Sequence, residues 1–266
     1  MQKLEGGLRL KGISKTSQKG LPLISVITSV FNGEKTLKQT IESIINQGYK
    51  NIEYIIVDAG SKDKTVDILK EYSDRLDYWV SEPDKGIYDA WNKGVSLAKG
   101  EWIAFVGSDD IYLKDALQNY VDFIGDKKFD YVSSRVELVN QDMSKVLNVI
   151  GTAWKWSVFK NYMNVAHVGS FHNRSLFERF GKYNIDFRIV GDYEFLLRPK
   201  RGMNAGFLDK VTVKMRAGGG SNISSSVLKE TMRAKINTAG RSKLISYFEY
   251  LVGYIKFYLR RWFLNY

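Results

Sequence analysis

Apolar positions along this chain follow two alternating patterns. Leu23, Ile24, Val26, Ile27 and Val30 make residues 23–30 a short, β-branched run that reads as a buried strand. Asn32-Gly33 breaks it, and Leu37, Ile41, Ile44 and Ile45 then recur at helical spacing over residues 34–47. The pair repeats as a strand at 52–57, a helix at 61–72 that Ser61 or Asp63 can cap, a strand at 76–80, a helix at 86–99 and a strand at 102–106. Such alternation predicts an α/β fold with a mostly parallel, doubly wound sheet, whose ligands bind beyond the carboxyl ends of the strands.

Past a helix at 113–124 the alternation weakens. The chain predicts a strand or hairpin over 131–149 turning at Asn140-Gln141-Asp142, a strand over 167–172 and a short helix over 175–180 closed by Gly181. A helix starting at Asp192, a strand over 205–217, a flexible loop at Gly218-Gly219-Gly220-Ser221 and a helix over 228–239 follow. Residues 151–166 are rich in Trp and Tyr without clear period. Residues 1–20 are polar and basic, lack the apolar segment of a secretory signal, and are expected to form a mobile leader. The expected division is therefore 1–20, a domain over 21–225 with halves at 21–112 and 113–225, and a helical extension over 226–266.

That extension ends in a strongly aromatic stretch. As a helix it places Glu249, Gly253, Lys256 and Arg260 near one stripe and covers most of the remainder with Tyr, Phe, Leu, Ile, Val and Trp. Lys256, Arg260 and Arg261 argue against a membrane span. The stretch fits a helix lying in a membrane interface, or one that packs on the domain or across a homodimer. A net charge of +11 favours an anionic partner and tips the reading toward an anionic membrane surface. Nucleic acid is disfavoured, because the basic residues are dispersed and no recognition motif is present.

The absence of cysteine excludes disulfides, thiolate metal sites and a Cys nucleophile, and agrees with a reducing cytoplasm. No P-loop or dinucleotide fingerprint occurs. The chemistry-bearing candidates are carboxylates at strand ends and loops. Asp109 and Asp110 follow the fourth strand, where two adjacent negative charges call for a cation or a polar partner; an acidic turn capping the next helix is the alternative. Asp58 ends the second strand and reads as a turn residue or as a contact to a nucleotide. Asp192 reads as a helix cap or a reactive carboxylate, and His167 and His172 are the only histidines.

Four segments carry a resemblance: residues 24–33, from Ile24-Ser25-Val26 to Phe31-Asn32-Gly33; residues 56–65, with Asp58-Ala59-Gly60-Ser61; residues 82–94, with Asp84-Lys85-Gly86-Ile87-Tyr88-Asp89-Ala90; and Gly107-Ser108-Asp109-Asp110. In this order and spacing they resemble family 2 glycosyltransferases of the GT-A fold, over residues 22–198, and in particular bacterial enzymes of O-antigen, capsule and exopolysaccharide assembly. The resemblance implies an inverting, metal-dependent hexosyl or N-acetylhexosaminyl transfer from a nucleoside-diphosphate sugar, with UDP as the nucleotide. The two halves of the domain would bind nucleotide and acceptor respectively. Thr28, Val30 and Asn32 would line the nucleotide pocket, Asp58 would bond the base, and Lys85 and Asp89 would lie near the phosphates or donor sugar. Asp109 would approach ribose or metal, Asp109 or Asp110 would ligate Mn2+ or Mg2+, Asp192 would be the general base, and His167 would face the site. The acceptor would be a saccharide on a polyprenyl diphosphate, placing the enzyme in the cytoplasm against the inner face of the cell membrane. An inert nucleotide-sugar-binding protein of the same fold is the rival. Two positions depart from the family pattern: Gly107, where relatives often carry a further Asp, and Gly191, where many carry Glu.

Overall fold

The computed structural model describes residues 3–218 and 225–263, with side chains through Leu259. Among them ten strands form one sheet. They are β1 (Leu4–Gly6), β2 (Ile24–Val30), β3 (Ile52–Asp58), β4 (Tyr78–Ser81), β5 (Trp102–Gly107), β6 (Ile111–Tyr112), β7 (Tyr131–Val139), β8 (Val146–Ile150), β9 (Ser170–Asn173) and β10 (Ala205–Arg216). The order is β1-β4-β3-β2-β5-β9-β7-β10-β6, and β8 pairs with β7 off this path. The central four, β4-β3-β2-β5, are parallel; β9 then runs antiparallel between β5 and β7. This is the expected α/β class, with a central parallel sheet flanked by helices.

Helices cover both faces. They are α1 (Leu37–Ile45), α2 (Thr65–Glu71), α3 (Ile87–Leu97), α4 (Ala116–Ile124), α5 (Trp156–Phe159), α6 (Arg174–Phe180), α7 (Gly191–Leu197), α8 (Ser226–Asn237) and α9 (Lys243–Phe263). Ile24, Val26 and Val30 of β2 join one core with Leu37, Ile41 and Leu69; Ile27 joins the other with Trp91, Val95 and Leu196. Burial on both faces is why β2 and β3 read as continuous apolar runs rather than alternating ones. α3 approaches β2 closely at Gly94, where a Cβ would lie 2.4 Å from Ile27 Cγ2.

Two readings of the sequence are corrected, and one segment left unread acquires a helix. Residues 3–20 are not a mobile leader: β1 extends the sheet beside β4, and a turn of 3-10 helix at Leu8–Lys11 follows. Arg9 from that turn bonds Leu97 O at 2.7 Å and pairs with Glu53, a buried β3 carboxylate that also accepts from Ser25 Oγ at 2.6 Å and the Lys99 amide at 2.7 Å. The segment carries no long apolar run because its anchor is ionic, and that is why periodicity missed it. Residues 167–172 are strand only from Ser170, since His167–Gly169 coils into a 3-10 turn. Residues 151–166 contain α5, a helix too short to show a period. The expected hairpin at 131–149 is present as β7 and β8, while Gly219, Gly220 and Ser221 of the expected loop lie outside the described residues.

At the other end, α8 docks through Glu230, which accepts the amides of Arg188, Ile189 and Val190 at 2.9, 2.9 and 3.1 Å. α9 lies against α8 through Glu249 and Gly253. Glu249 pairs with Lys235 at 2.8 Å and Arg241 at 2.6 Å, and Gly253 lies close against Leu228. Phe248, Leu251 and Ile255 face outward, 68, 53 and 57% exposed. Among the described residues no helix is long and apolar enough to cross a membrane.

The Arg9–Glu53 pair yields a stability prediction. Arg9→Ala strands a buried carboxylate and should cost about 3 kcal/mol in chemical denaturation, most of which the double variant Arg9→Ala/Glu53→Gln should recover. An Arg9→Ala loss below about 0.5 kcal/mol, the size of an ordinary surface change, would return residues 3–20 to the status of a dispensable leader.

Candidate active site

The site forms where β2, β3 and β5 end together. Parallel register sets Val30 beside Asp58 and Ser29 beside Gly107, so three loops leave the sheet at one level. The first two are laced together. The Asn32 amide donates to Ser61 Oγ at 2.7 Å, that of Gly33 to Thr65 Oγ1 at 2.8 Å and that of Glu34 to Asp63 Oδ2 at 3.1 Å; Asn32 Oδ1 accepts from the Lys62 amide at 2.9 Å. A cavity of about 720 Å³ lies above them, lined by Phe31, Asn32, Gly33, Lys35, Lys62, Ser108, Asp109 and Gln141. Val30 and Phe31, the latter 60% exposed, continue into a second cavity of about 430 Å³ with Asp84, Gly86 and Ile87.

Asp58 is fully buried. It accepts from the amides of Gly60 at 3.1 Å and Ser61 at 3.0 Å, from Ser81 Oγ at 2.6 Å and from Ser61 Oγ. Four donors match the lone-pair sites of a carboxylate. The structure therefore gives Asp58 the turn-bracing role rather than an acceptor aimed at a base. Thr28 is likewise fully buried, 3.0 Å from Tyr54 Oη, one pleat too deep to line the pocket as Val30 and Asn32 do. Asp89 accepts the Lys85 amide at 2.9 Å in the first turn of α3, and the exposed Lys85 gives its carbonyl to Arg188. The cavity there is lined by Asp84, Gly86 and Ile87 instead.

Asp109 and Asp110 turn toward one point. A Cβ on Gly107 would sit 2.7 Å from Asp110 Oδ2 and 3.0 Å from Asp109 Oδ1, so Gly107 leaves open the space on which both carboxylates converge. A side chain here, including the Asp of the family pattern, would fill that space. Burial, then the neighbouring Asp109 charge, pushes Asp110 up to about 7. Arg216, at the end of β10, holds the pair from behind. Its amide donates to Asp110 Oδ1 at 3.1 Å and its guanidinium to Asp109 O, to Gln141 O at 2.9 Å and to Gln39 Oε1 at 2.8 Å. A lone Arg over a hundred residues downstream gave no sequence signal. Among the described residues no group of three or more His, Cys, Asp or Glu converges as a metal cluster.

Asp192 opens α7 and faces a third cavity of about 680 Å³, whose wall also includes Gly107, Asp110, His167, Tyr88 and Trp91. The fold thus brings together carboxylates separated by over eighty residues of sequence. Asp192 Oδ1 accepts from the Tyr193 amide at 2.8 Å, and Tyr88 donates toward it at 3.1 Å and toward Ile189 O at 2.6 Å. Burial raises Asp192 to about 6. Gly191 permits this arrangement: a Cβ there would lie 2.8 Å from the Tyr88 ring, so the Glu of many relatives cannot coexist with this tyrosine placement. His167 stacks on Trp91 with centroids 4.7 Å apart and meets Tyr183 Oη at 3.1 Å. Burial lowers it to about 3, which keeps the imidazole neutral.

Comparisons with known proteins show the family and the fold. Residues 25–184 match the family model described as Glycosyl transferase family 2. A PGL/p-HBAD biosynthesis glycosyltransferase of Mycobacterium bovis is 32% identical over 189 residues, covering 66% of this chain and 69% of that one. An uncharacterised glycosyltransferase of Mycobacterium tuberculosis is 34% identical over 184 residues, covering 66% and 68%. Among solved structures, S. aureus TarS 1–349 in complex with UDP-GlcNAc superposes with a TM-score of 0.65 at 18% identity, covering 84% of this chain and 69% of that one. The mannosyltransferase PcManGT of Pyrobaculum calidifontis, in complex with GDP-Man and Mn2+, gives 0.60 at 18% identity, covering 82% and 63%. With its parallel sheet, its laced strand-end loops and its sequence matched over that region, the chain belongs to glycosyl transferase family 2 and is a glycosyltransferase.

Proposed function

We propose that the enzyme transfers a sugar from a UDP-sugar to a hydroxyl of a saccharide acceptor, with inversion, during assembly of bacterial surface polysaccharide on a polyprenyl diphosphate. The observation that carries this reading is Asp192 on the wall of one cavity with Asp110. One carboxylate can meet the acceptor while the other meets the leaving group. An acceptor hydroxyl is a weak nucleophile near neutral pH, and a carboxylate raised to about 6 is matched to taking its proton as the bond to the anomeric carbon forms. Tyr88 holds Asp192 in place, and the neutral His167 with Trp91 offers a flat wall for a sugar ring. Phe31, Asn32 and Lys62 line the side suited to the nucleoside and its phosphates.

The donor set fits a divalent cation. Two carboxylate oxygens converge over Gly107, both are hard ligands, and Mg2+ or Mn2+ commonly takes one or two carboxylates and completes its shell with water and phosphate oxygens. Asp109 and Asp110 would hold it. Bound there, it supplies charge neutralisation to the departing diphosphate. Arg216 fixes the backbone that presents both carboxylates.

The outward apolar stripe of α9 supports a membrane-interfacial role at the inner face of the cell membrane, with Glu249 paired to Lys235 of α8. No feature of the described residues favours nucleic acid over such a surface.

Asp192→Asn should lower kcat by a factor on the order of 10³ while leaving UDP affinity within a factor of about two. Because Asp192 works ionised, the wild-type rate should rise with pH through a midpoint near 6 and flatten above it. An active Asn variant with the same acid limb would remove Asp192 from the reaction. Separately, Leu251→Glu/Ile255→Glu should abolish sedimentation with phosphatidylglycerol vesicles without changing hydrolysis of the UDP-sugar. Unchanged sedimentation of that variant would leave α9 as an internal or dimer-forming helix.

A further inference from the structure

A second built pocket lies outside the catalytic cleft. It measures about 440 Å³ and is lined by Trp154, Lys155, Trp156, Ser157, Lys160 and Arg201. Three of these six residues are cations and none is an acid. Among the described residues none of the three cations forms an ion pair, although the chain pairs many other basic residues. The two indoles stand 6.5 Å apart at 35°, one buried and the other half-buried. Trp154 is only 7% exposed, and among the described residues its indole N–H finds no acceptor. Three clustered cations with no acid among the lining residues make the mouth of this pocket electropositive. Aromatic faces suit the C–H face of a sugar ring, and clustered Lys and Arg suit a phosphate.

Its place in the fold says which sugar phosphate. The segment 151–166 runs between this pocket and the catalytic cavity. Met163, Val165 and Ala166 line the catalytic side, while Trp154, Lys155, Trp156, Ser157 and Lys160 line the other. Tyr193, next to Asp192, donates its hydroxyl to Phe159 O at 2.9 Å and ties the two walls together. Arg241, just before α9, donates to Lys160 O at 3.2 Å and to Asn161 Oδ1, so the pocket borders the root of the helix whose outer face is apolar. We infer that this pocket binds the phosphorylated saccharide end of the acceptor, with its phosphate on Lys155, Lys160 and Arg201 and its sugar against Trp156. The inference rests on the transferase reading above.

Calorimetry on the full chain saturated with UDP and Mn2+ tests it, using N-acetylglucosamine 1-phosphate, N-acetylglucosamine and inorganic phosphate as probes. The sugar phosphate should bind more tightly than either part alone by on the order of tenfold. Lys155→Gln/Lys160→Gln/Arg201→Gln should weaken it by a similar factor and leave UDP affinity unchanged. A lipid-borne source is separated from a soluble one with phosphatidylcholine vesicles, with or without polyprenyl diphosphate-linked N-acetylglucosamine. Selective capture of the loaded vesicles by wild type, lost in the triple variant, assigns the ligand to the membrane; binding of the soluble probe alone assigns it to solution. Absent sugar-phosphate binding, equal binding of the neutral sugar or of inorganic phosphate, or an unaffected triple variant overturns the inference. Failure of UDP to bind wild type would instead count against the transferase reading.

Discussion

The parallel register of β2, β3 and β5 is the constraint on which the cleft depends. Parallel strands buried on both faces cannot slip by one residue without moving every side chain to the wrong core. That rigidity fixes Val30, Asp58 and Gly107 at one level. The loops beyond are short, and backbone amides of one meet side chains of the other at hydrogen-bonding distance. Asp58 belongs to this frame: with four donors from the chain, it holds the turn that the lacing requires.

On that frame the enzyme gathers carboxylates that oppose their own ionisation. Burial raises both Asp110 and Asp192, the nearby Arg216 charge offsets only part of the rise at Asp110, and among the described residues neither carboxylate forms a side-chain ion pair. Arg216 sits close to the pair yet spends its guanidinium on carbonyl and amide oxygens, giving only its backbone N–H to Asp110. Negative potential is thus left facing the cleft, where a structure built only for stability would pair it. The two histidines stay neutral inside an aromatic cluster and add no compensating charge.

Much of this was legible in the sequence, and the limits have physical causes. Each βα unit of the first half announced itself, because a strand buried on both faces and an amphipathic helix have distinct apolar spacings. Asp109, Asp110 and Asp192 stood out by motif and position, and His167 by resemblance; Asp110, Asp192 and His167 line one cavity and Asp109 another. Their roles in turnover belong to the proposal. Thr28 and Asp58 are fully buried, which a strand-end motif does not reveal because it does not say which side chains turn inward. The leader was misread because Arg9 and Glu53 hold it by charge, which leaves no periodicity. Gly107 and Gly191 looked like losses from the family pattern. The first makes room for converging carboxylates and the second for the Tyr88 ring that reaches Asp192. Arg216 was invisible because a lone arginine ending a strand has no pattern to betray it.

We propose that the carboxylates of Asp109 and Asp110, which converge over Gly107, hold a divalent cation against the donor diphosphate. Calorimetric titration of UDP with and without Mn2+ tests it most directly. The account predicts that Mn2+ tightens UDP binding by on the order of tenfold or more, and that Asp109→Asn/Asp110→Asn abolishes this gain while retaining the weaker metal-free affinity. Equal UDP affinity with and without Mn2+ in the wild-type enzyme would contradict it.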